Sequence, residues 1–279
     1  MKARLVAAGV VLACCGPRSH QPPPNLPSAA EVIARLAKER DARTSFTAES
    51  VMDFWGGKER VKATVLVMGS TGSKVRFNAL SPAGGSVLAD MACDGTNFVY
   101  IDHQNNCQLS GPCNRASIAS LLHVELEPED FLHLAVGTPP VIEQATGKVT
   151  WNADNGYLHV ELEGPSGAQT LDINTSNDRW DVMASELKLR DGKVVWSVVN
   201  KDWEDVSDAT GGNKRWPSKT RFKAPNDDSD LLVEWKERQL NIPLDDAKFQ
   251  ITAPAGLPMC GQQISPTPPR VAPPPAPKS

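Results

Sequence analysis

Cysteines are the side chains of this chain best suited to covalent chemistry, and four of them, Cys93, Cys107, Cys113 and Cys260, lie well inside it. An even number of thiols in an oxidising compartment reads as a disulfide framework, and four cysteines admit three pairings. Cys107 and Cys113 bracket the short segment QLSGP, so the simplest expectation is a local Cys107–Cys113 bridge, with Cys93 joined to Cys260. The second bridge would tie the end of the fold to its middle, and by closing a long loop it would contribute about 4 to 5 kcal/mol. A metal centre is the other use of such residues, but His103, Cys107 and Cys113 match no compact zinc spacing.

The N-terminus supplies the oxidising compartment. Lys2 and Arg4 open a stretch in which Leu5 to Ala13 is apolar, too short to span a bilayer and of the form of a secretory signal. Val11-Leu12-Ala13-Cys14 has the aliphatic, any, small, Cys order that resembles the bacterial lipobox. That resemblance implies cleavage before Cys14 and diacylglycerol on its sulfur. The register one residue later would put Cys14 itself before the cut, where a small Ala or Gly belongs. Residues 1–13 are therefore expected to be a lipoprotein signal peptide and Cys14 the lipidated residue, its several acyl chains anchoring the protein to a membrane. Cys15 in place of an Asp after Cys14 resembles outer-membrane sorting, with the domain facing the periplasm.

Other motifs that carry chemistry elsewhere do not complete themselves. GSTGSK at 69–74 lacks the four-residue gap and the hydroxyl residue after Lys that a phosphate loop needs. GPSG at 164–167 is not a nucleophile elbow. Both read as turns. His103, His123 and His133 have no carboxylate or cysteine at a mechanistic spacing and read as partly exposed, while Asp202, Glu204, Asp205 and Asp208 lack EF-hand order and read as a solvated loop. No nucleophile, base and metal constellation survives, so no enzymatic activity and no cofactor are expected. The net charge of −4 is spread over both signs along the chain, which leaves no basic patch for nucleic acid. Seven Trp beside two Tyr is an unusual ratio, and the seven are dispersed, as core or rim residues would be.

The elements follow from patterning. Residues 14–27, including HQPPPNLP at 20–27, make an extended membrane spacer, and the Pro-rich residues 262–279 a disordered tail. Residues 28–261 between them form the folded domain. Ser28 with Glu31 is a capping box, followed by Val32, Ile33 and Leu36 on one side of a short helix. Gly56-Gly57, Asp94-Gly95, Asn155-Gly156 and Asp191-Gly192 then separate runs of β-formers as hairpin turns. Val61, Ala63, Val65 and Val67 share one strand face, as do Leu158, Val160 and Leu162, and such alternation marks antiparallel sheet with one wet side. The meander is interrupted once. Ile118, Leu121 and Leu122 are spaced for a helix, and Glu127-Pro128-Glu129-Asp130 starts another, carrying Phe131, Leu132 and Leu134 to Gly137.

Taken together, the lipobox, opening helix, strand meander and helical insert resemble the LolA/LolB-like superfamily, nearest to its LolB-like outer-membrane lipoprotein branch. Three motifs carry the likeness. Cys93-Asp94-Gly95 to Tyr100 resembles a D-G-x-x-x-x-Y strand pair; two leucines followed by Pro128, Phe131, Leu134 and Gly137 resemble its helical insert; and Phe249, Ile251, Pro254 and Gly256 resemble its closing motif, with Ile for the second aromatic. The resemblance implies a mainly β, antiparallel half-barrel with a helical lid, whose apolar cavity accepts acyl chains of lipids or lipoproteins. Val61, Val65, Leu121, Leu122, Phe131, Leu134, Leu158, Val160 and Leu162 are the candidates for its lining or core. The four internal cysteines are not part of the family pattern, and Trp55 in the first hairpin is the nearest candidate for a membrane-inserting residue. The alternative role is a structural or assembly lipoprotein that binds an envelope protein or the cell wall.

Overall fold

A computed structural model describes residues 20–261 except 58, 83 and 123–125, as well as the backbone but not the side chains of 59, 120–122 and 227. The expected signal peptide, Cys14 and the Pro-rich tail lie outside the described residues. Helix α1 (Ala29–Asp41) comes first, then six strands: β1 (Ser45–Gly56), β2 (Glu59–Ser70), β3 (Lys74–Leu80), β4 (Val87–Asp94), β5 (Asn97–Asp102) and β6 (Cys107–Pro112). Two helices follow, α2 (Arg115–Leu122) and α3 (Pro128–Ala135). Seven strands then follow: β7 (Thr146–Asn152), β8 (Tyr157–Gly164), β9 (Gly167–Asn174), β10 (Asp181–Lys188), β11 (Val194–Ser207), β12 (Asn213–Ala224) and β13 (Ser229–Leu240).

All thirteen strands belong to one antiparallel sheet in the order β6-β5-β4-β3-β2-β1-β13-β12-β11-β10-β9-β8-β7. Every neighbouring pair is a hairpin except β1 with β13, which joins the two halves of the chain from Phe46↔Leu240 to Gly56↔Ser229. The chain thus leaves the sheet at one edge, β6, and re-enters at the other, β7. The connection between those edges is the helical insert, so α2 and α3 must cross the sheet's inner face. A mainly β open half-barrel with helices against it is the expected architecture.

Local chemistry explains the helices. Ser28 Oγ accepts from the Glu31 N–H while the Glu31 carboxylate accepts from the Ser28 N–H, so the capping box forms as read. Pro128 opens α3, where its missing N–H costs nothing, and Glu129 and Asp130 lie near the positive helix end. Gly137, at φ +81°, ends the turn after α3 beside Trp203 and Pro217.

The inner face divides into three cores. Val32 and Leu36 of α1 pack on Leu158, Val160, Leu162, Leu171 and Ile173, filling the β8–β10 half of the curve. Val75, Met91, Cys93 and Phe98 pack with Ile118 of α2. The largest core lies between them, joining Leu132, Leu134 and Ala135 of α3 to β1, β2 and β11 to β13.

The disulfides differ from the sequence expectation. Cys93 bonds Cys113, with Cα atoms 5.6 Å apart, and Cys107 bonds Cys260 at 4.9 Å. The local Cys107–Cys113 bridge fails because QLSGP is not a loop. It is strand β6, and a strand of six residues at about 3.3 Å each holds its ends some 20 Å apart. The β5–β6 pairing carries Cys113 back beside β4, where its N–H donates to the Thr96 carbonyl. At the other end, Gln108 N–H donates to the Pro258 carbonyl and Cys260 N–H to the Gln108 carbonyl, so the C-terminal segment lies along the β6 edge and delivers Cys260 to Cys107. That segment also occupies edge groups that would otherwise be free to pair with another chain.

Candidate functional site: an apolar cavity beneath the helical insert

α1 is long enough to cover its half of the sheet, whereas α2 and α3 have eight residues each and leave space over the rest. The result is a cavity of about 400 Å³ between β1 to β5, β12, β13 and the insert, within the range of roughly 300–1,000 Å³ usual for small-molecule sites. Leu126, Phe131, Leu134 and Ala135 form its roof. Its walls are inner-face residues read at a spacing of two: Met52 and Phe54 on β1, Val61 to Val67 on β2, and Leu231, Val233 and Trp235 on β13.

The paired strand ends Gly56 and Glu59, Leu80 and Val87, Asp102 and Cys107, and Ala224 and Ser229 all lie at one end of the sheet, and there the lining becomes exposed: Val61 is 48% exposed, and Gln104 and Asn105 are solvent-facing. That end is the mouth. Asp102 sits on it, held by the N–H groups of Gln104 and Asn105 at 2.9 Å each. Half-buried Tyr100 lies next inward, and burial, together with the Asp102 carboxylate, pushes its pKa up to about 12. Its phenol therefore stays protonated.

Polar groups of the wall are mostly spoken for. Ser50 Oγ donates to the Val65 carbonyl, and Thr220 Oγ1 donates to Asn200 while accepting from Trp235 Nε1. The Ser229 hydroxyl is the exception: the residue is 3% exposed, lines the cavity, and has no hydrogen-bond partner.

The roof is fastened at its outer side. Arg40 of α1 reaches Asp130 of α3 at 2.8 Å, and Glu129 accepts from the Ser73 N–H at 2.6 Å. His133, read from sequence as partly exposed, is instead 3% exposed, with Nδ1 3.3 Å from Thr138 Oγ1 and Nε2 3.7 Å from Glu129. The helix turns it inward beside Leu132 and Leu134, a placement that a lone His among leucines permits but does not announce.

Of the residues singled out from sequence, Val61, Val65, Phe131 and Leu134 line the cavity. Leu158, Val160 and Leu162 do not; α1 covers them and they are filled core. Leu121 and Leu122 belong to α2, but their side chains are outside the description. His103 does not join Cys107 and Cys113, since both sulfurs are in disulfides and His103 Nε2 meets Asp90 at 2.9 Å. The acidic run is strand rather than loop: Glu204 and Asp205 pair with Arg238 and Arg215, and Asp208 is buried. Trp55 lies on the outer face beneath Arg60, at 4.9 Å. Sequence reading missed the β12 and β13 wall, although Leu231, Val233 and Trp235 carry the same alternation as β2.

Neither family models nor curated proteins match the sequence. Solved structures match the fold. A LolA superfamily protein from Nitrosomonas europaea aligns over 81% of this chain and 99% of its own, at TM-score 0.52 and 11% identity. The fold is similar to that of this LolA superfamily protein. A DUF1329 family protein from Desulfovibrio piger aligns over 79% and 95% at TM-score 0.52 and 12% identity. A domain described as an outer-membrane lipoprotein-sorting protein from Vibrio parahaemolyticus aligns over 77% and 94% at 0.50 and 9%. What this chain shares with them is the fold.

Proposed function

We propose that this protein is a non-enzymatic carrier or receptor for acyl chains in outer-membrane lipoprotein localisation, itself anchored to the membrane through Cys14. The observation that carries the reading is the apolar cavity roofed by α3 and open at one end. An acyl chain leaving a donor would enter at the hairpin tips and replace water by Met52, Phe54, Val65, Phe131 and Leu134. Each buried methylene contributes about 0.8 kcal/mol, so even part of a chain binds usefully, and release needs only a drier destination such as a bilayer. The neighbour described as a lipoprotein-sorting domain supports this reading.

The test is titration of the full chain with an uncharged fluorescent acyl probe, a pyrene-labelled monoacylglycerol. Saturable binding is expected, and Leu134→Gln should weaken it by roughly fivefold or more, because a buried amide without a partner costs about 1 to 3 kcal/mol. No saturable binding by folded protein would end the carrier reading. The anchor is tested apart from it: labelling with a palmitate analogue should vanish in Cys14→Ser and persist in Cys15→Ser.

A further inference from the structure

The cavity wall has a charge pattern that the apolar reading alone does not require. Among the described residues that line it there is no Lys, Arg or His, and its one charged side chain is Asp102, at the mouth. Cations are nonetheless abundant close by. Arg60 and Lys62 flank Val61 on β2, and Arg221 and Lys223 flank Phe222 on β12. Strand alternation sends Val61 and Phe222 inward and those four outward. The two arginines are also held there: Arg60 meets both Asp53 oxygens at 2.8 and 2.6 Å and lies over Trp55, and Arg221 meets both Asp230 oxygens at 2.8 and 2.6 Å. His103 is likewise engaged, with Asp90, on the opposite face of β4 from Ala89.

A fatty-acid carboxylate entering this mouth would shed water, meet Asp102 and find no cation among the described lining residues. Burying an unpaired charge is far costlier than burying a hydrogen-bonded neutral group. At the mouth end the wall does offer one unpartnered hydrogen-bonding group, the buried Ser229 hydroxyl, on the residue that pairs with Gly56 and Ala224 beside the 225–228 turn. At the rim stand the Gln104 and Asn105 side chains, and behind them the Tyr100 phenol.

We propose that the cavity selects acyl chains carried on an uncharged, hydrogen-bonding head of the glyceride type, with Ser229 bonding an ester or hydroxyl oxygen, and discriminates against free fatty-acid anions. This rests on the acyl-binding reading of the same cavity and adds the class of head that accompanies the chain.

Competition against the pyrene-labelled monoacylglycerol tests it, using a monoacylglycerol and a fatty acid of equal chain length, both below micelle formation and well above the carboxyl pKa. The glyceride should compete at a concentration at least roughly tenfold lower, the size of effect expected when a buried charge lacks a partner. Ser229→Ala should weaken the glyceride about fivefold, the worth of one hydrogen bond, and leave the fatty acid unchanged. Asp102→Asn, whose amide oxygen can still accept from the turn, should strengthen fatty-acid binding. That gain cannot come from misfolding. Equal competition by the two ligands, or a Ser229→Ala variant and an Asp102→Asn variant that both leave the ratio unchanged, would overturn the head selectivity while leaving acyl binding intact. Failure of the probe to bind at all would fall on the carrier reading instead.

Discussion

Arg40 at the end of α1 and Asp130 in the first turn of α3 meet at 2.8 Å, joining the helix that fills one half of the sheet to the helix that roofs the cavity in the other. Both side chains are about a quarter exposed, so the pair is a modest term in global stability, below about 1 kcal/mol. Its effect is on the roof. Arg40→Ala should leave the denaturation midpoint nearly unchanged yet lower hydrogen-exchange protection at residues 128–135 and speed release of bound acyl probe. Unchanged exchange in that helix would show that the Ser73 to Glu129 contact and the leucine packing hold the roof by themselves.

His133 gives the same helix a pH dependence. Burial pushes its pKa below the ordinary 6.5, opposed by the Glu129 carboxylate and reinforced by Arg40. The unfolded chain therefore binds its proton at a higher pH than the folded one, and stability declines as pH falls from 6.5 toward the depressed folded value. Glu129 acts at lower pH. His133 and the Ser73 N–H hold its pKa below the ordinary 4.5, so the stability it contributes is present above that value and lost as pH falls through the folded pKa. Urea midpoints measured from neutral to mildly acid pH should fall in the wild type and flatten in His133→Gln. A wild-type midpoint constant across this range would contradict the burial of His133.

Gly137 sets where the roof lands. Its φ of +81° is costly for any residue with a Cβ, and a Cβ there would stand 2.5 Å from Trp203 Cη2 and 2.8 Å from Pro217 Cδ. Gly137→Ala should lose more than about 1 kcal/mol from backbone strain alone, with steric overlap adding to it, and should weaken acyl-probe binding by displacing α3. Urea denaturation and probe titration on one preparation check both. Full stability would mean that Trp203 and Pro217 yield easily.

The features legible in the sequence were those fixed by near neighbours along the chain. Ser28 with Glu31, Pro128 at the start of α3, and the Gly-containing turns depend on residues within a few positions, and all appear where read. The alternation of Val61 to Val67 and of Leu158 to Leu162 correctly assigned inward faces. It could not say that one face would be filled and the other left open, because that follows from α1 having thirteen residues and α3 eight, and from which half each covers. Ser229 was equally hidden. A serine at a strand start carries no mark of burial, and it is enclosed by the pairing of β13 with β1 on one side and β12 on the other.

The cysteine pairing failed for a related reason and gives the most decisive chemical test. A spacing of six residues suggests a small loop only if the residues between are not extended, and here they are strand β6. Non-reducing peptide mapping should yield Cys93 linked to Cys113 and Cys107 linked to Cys260. The sequence separations are 20 and 153 residues, so the chain-entropy model assigns about 3 kcal/mol to the first bridge and about 5 kcal/mol to the second. The Cys107→Ser, Cys260→Ser double variant should therefore lose more stability than Cys93→Ser, Cys113→Ser. It should also expose the β6 edge, since Pro258 and Cys260 pair with Gln108 there, and so aggregate more readily. A peptide linking Cys107 to Cys113 would overturn the strand assignment of β6 together with the pairing, because no extended segment of that length brings its two ends within disulfide reach.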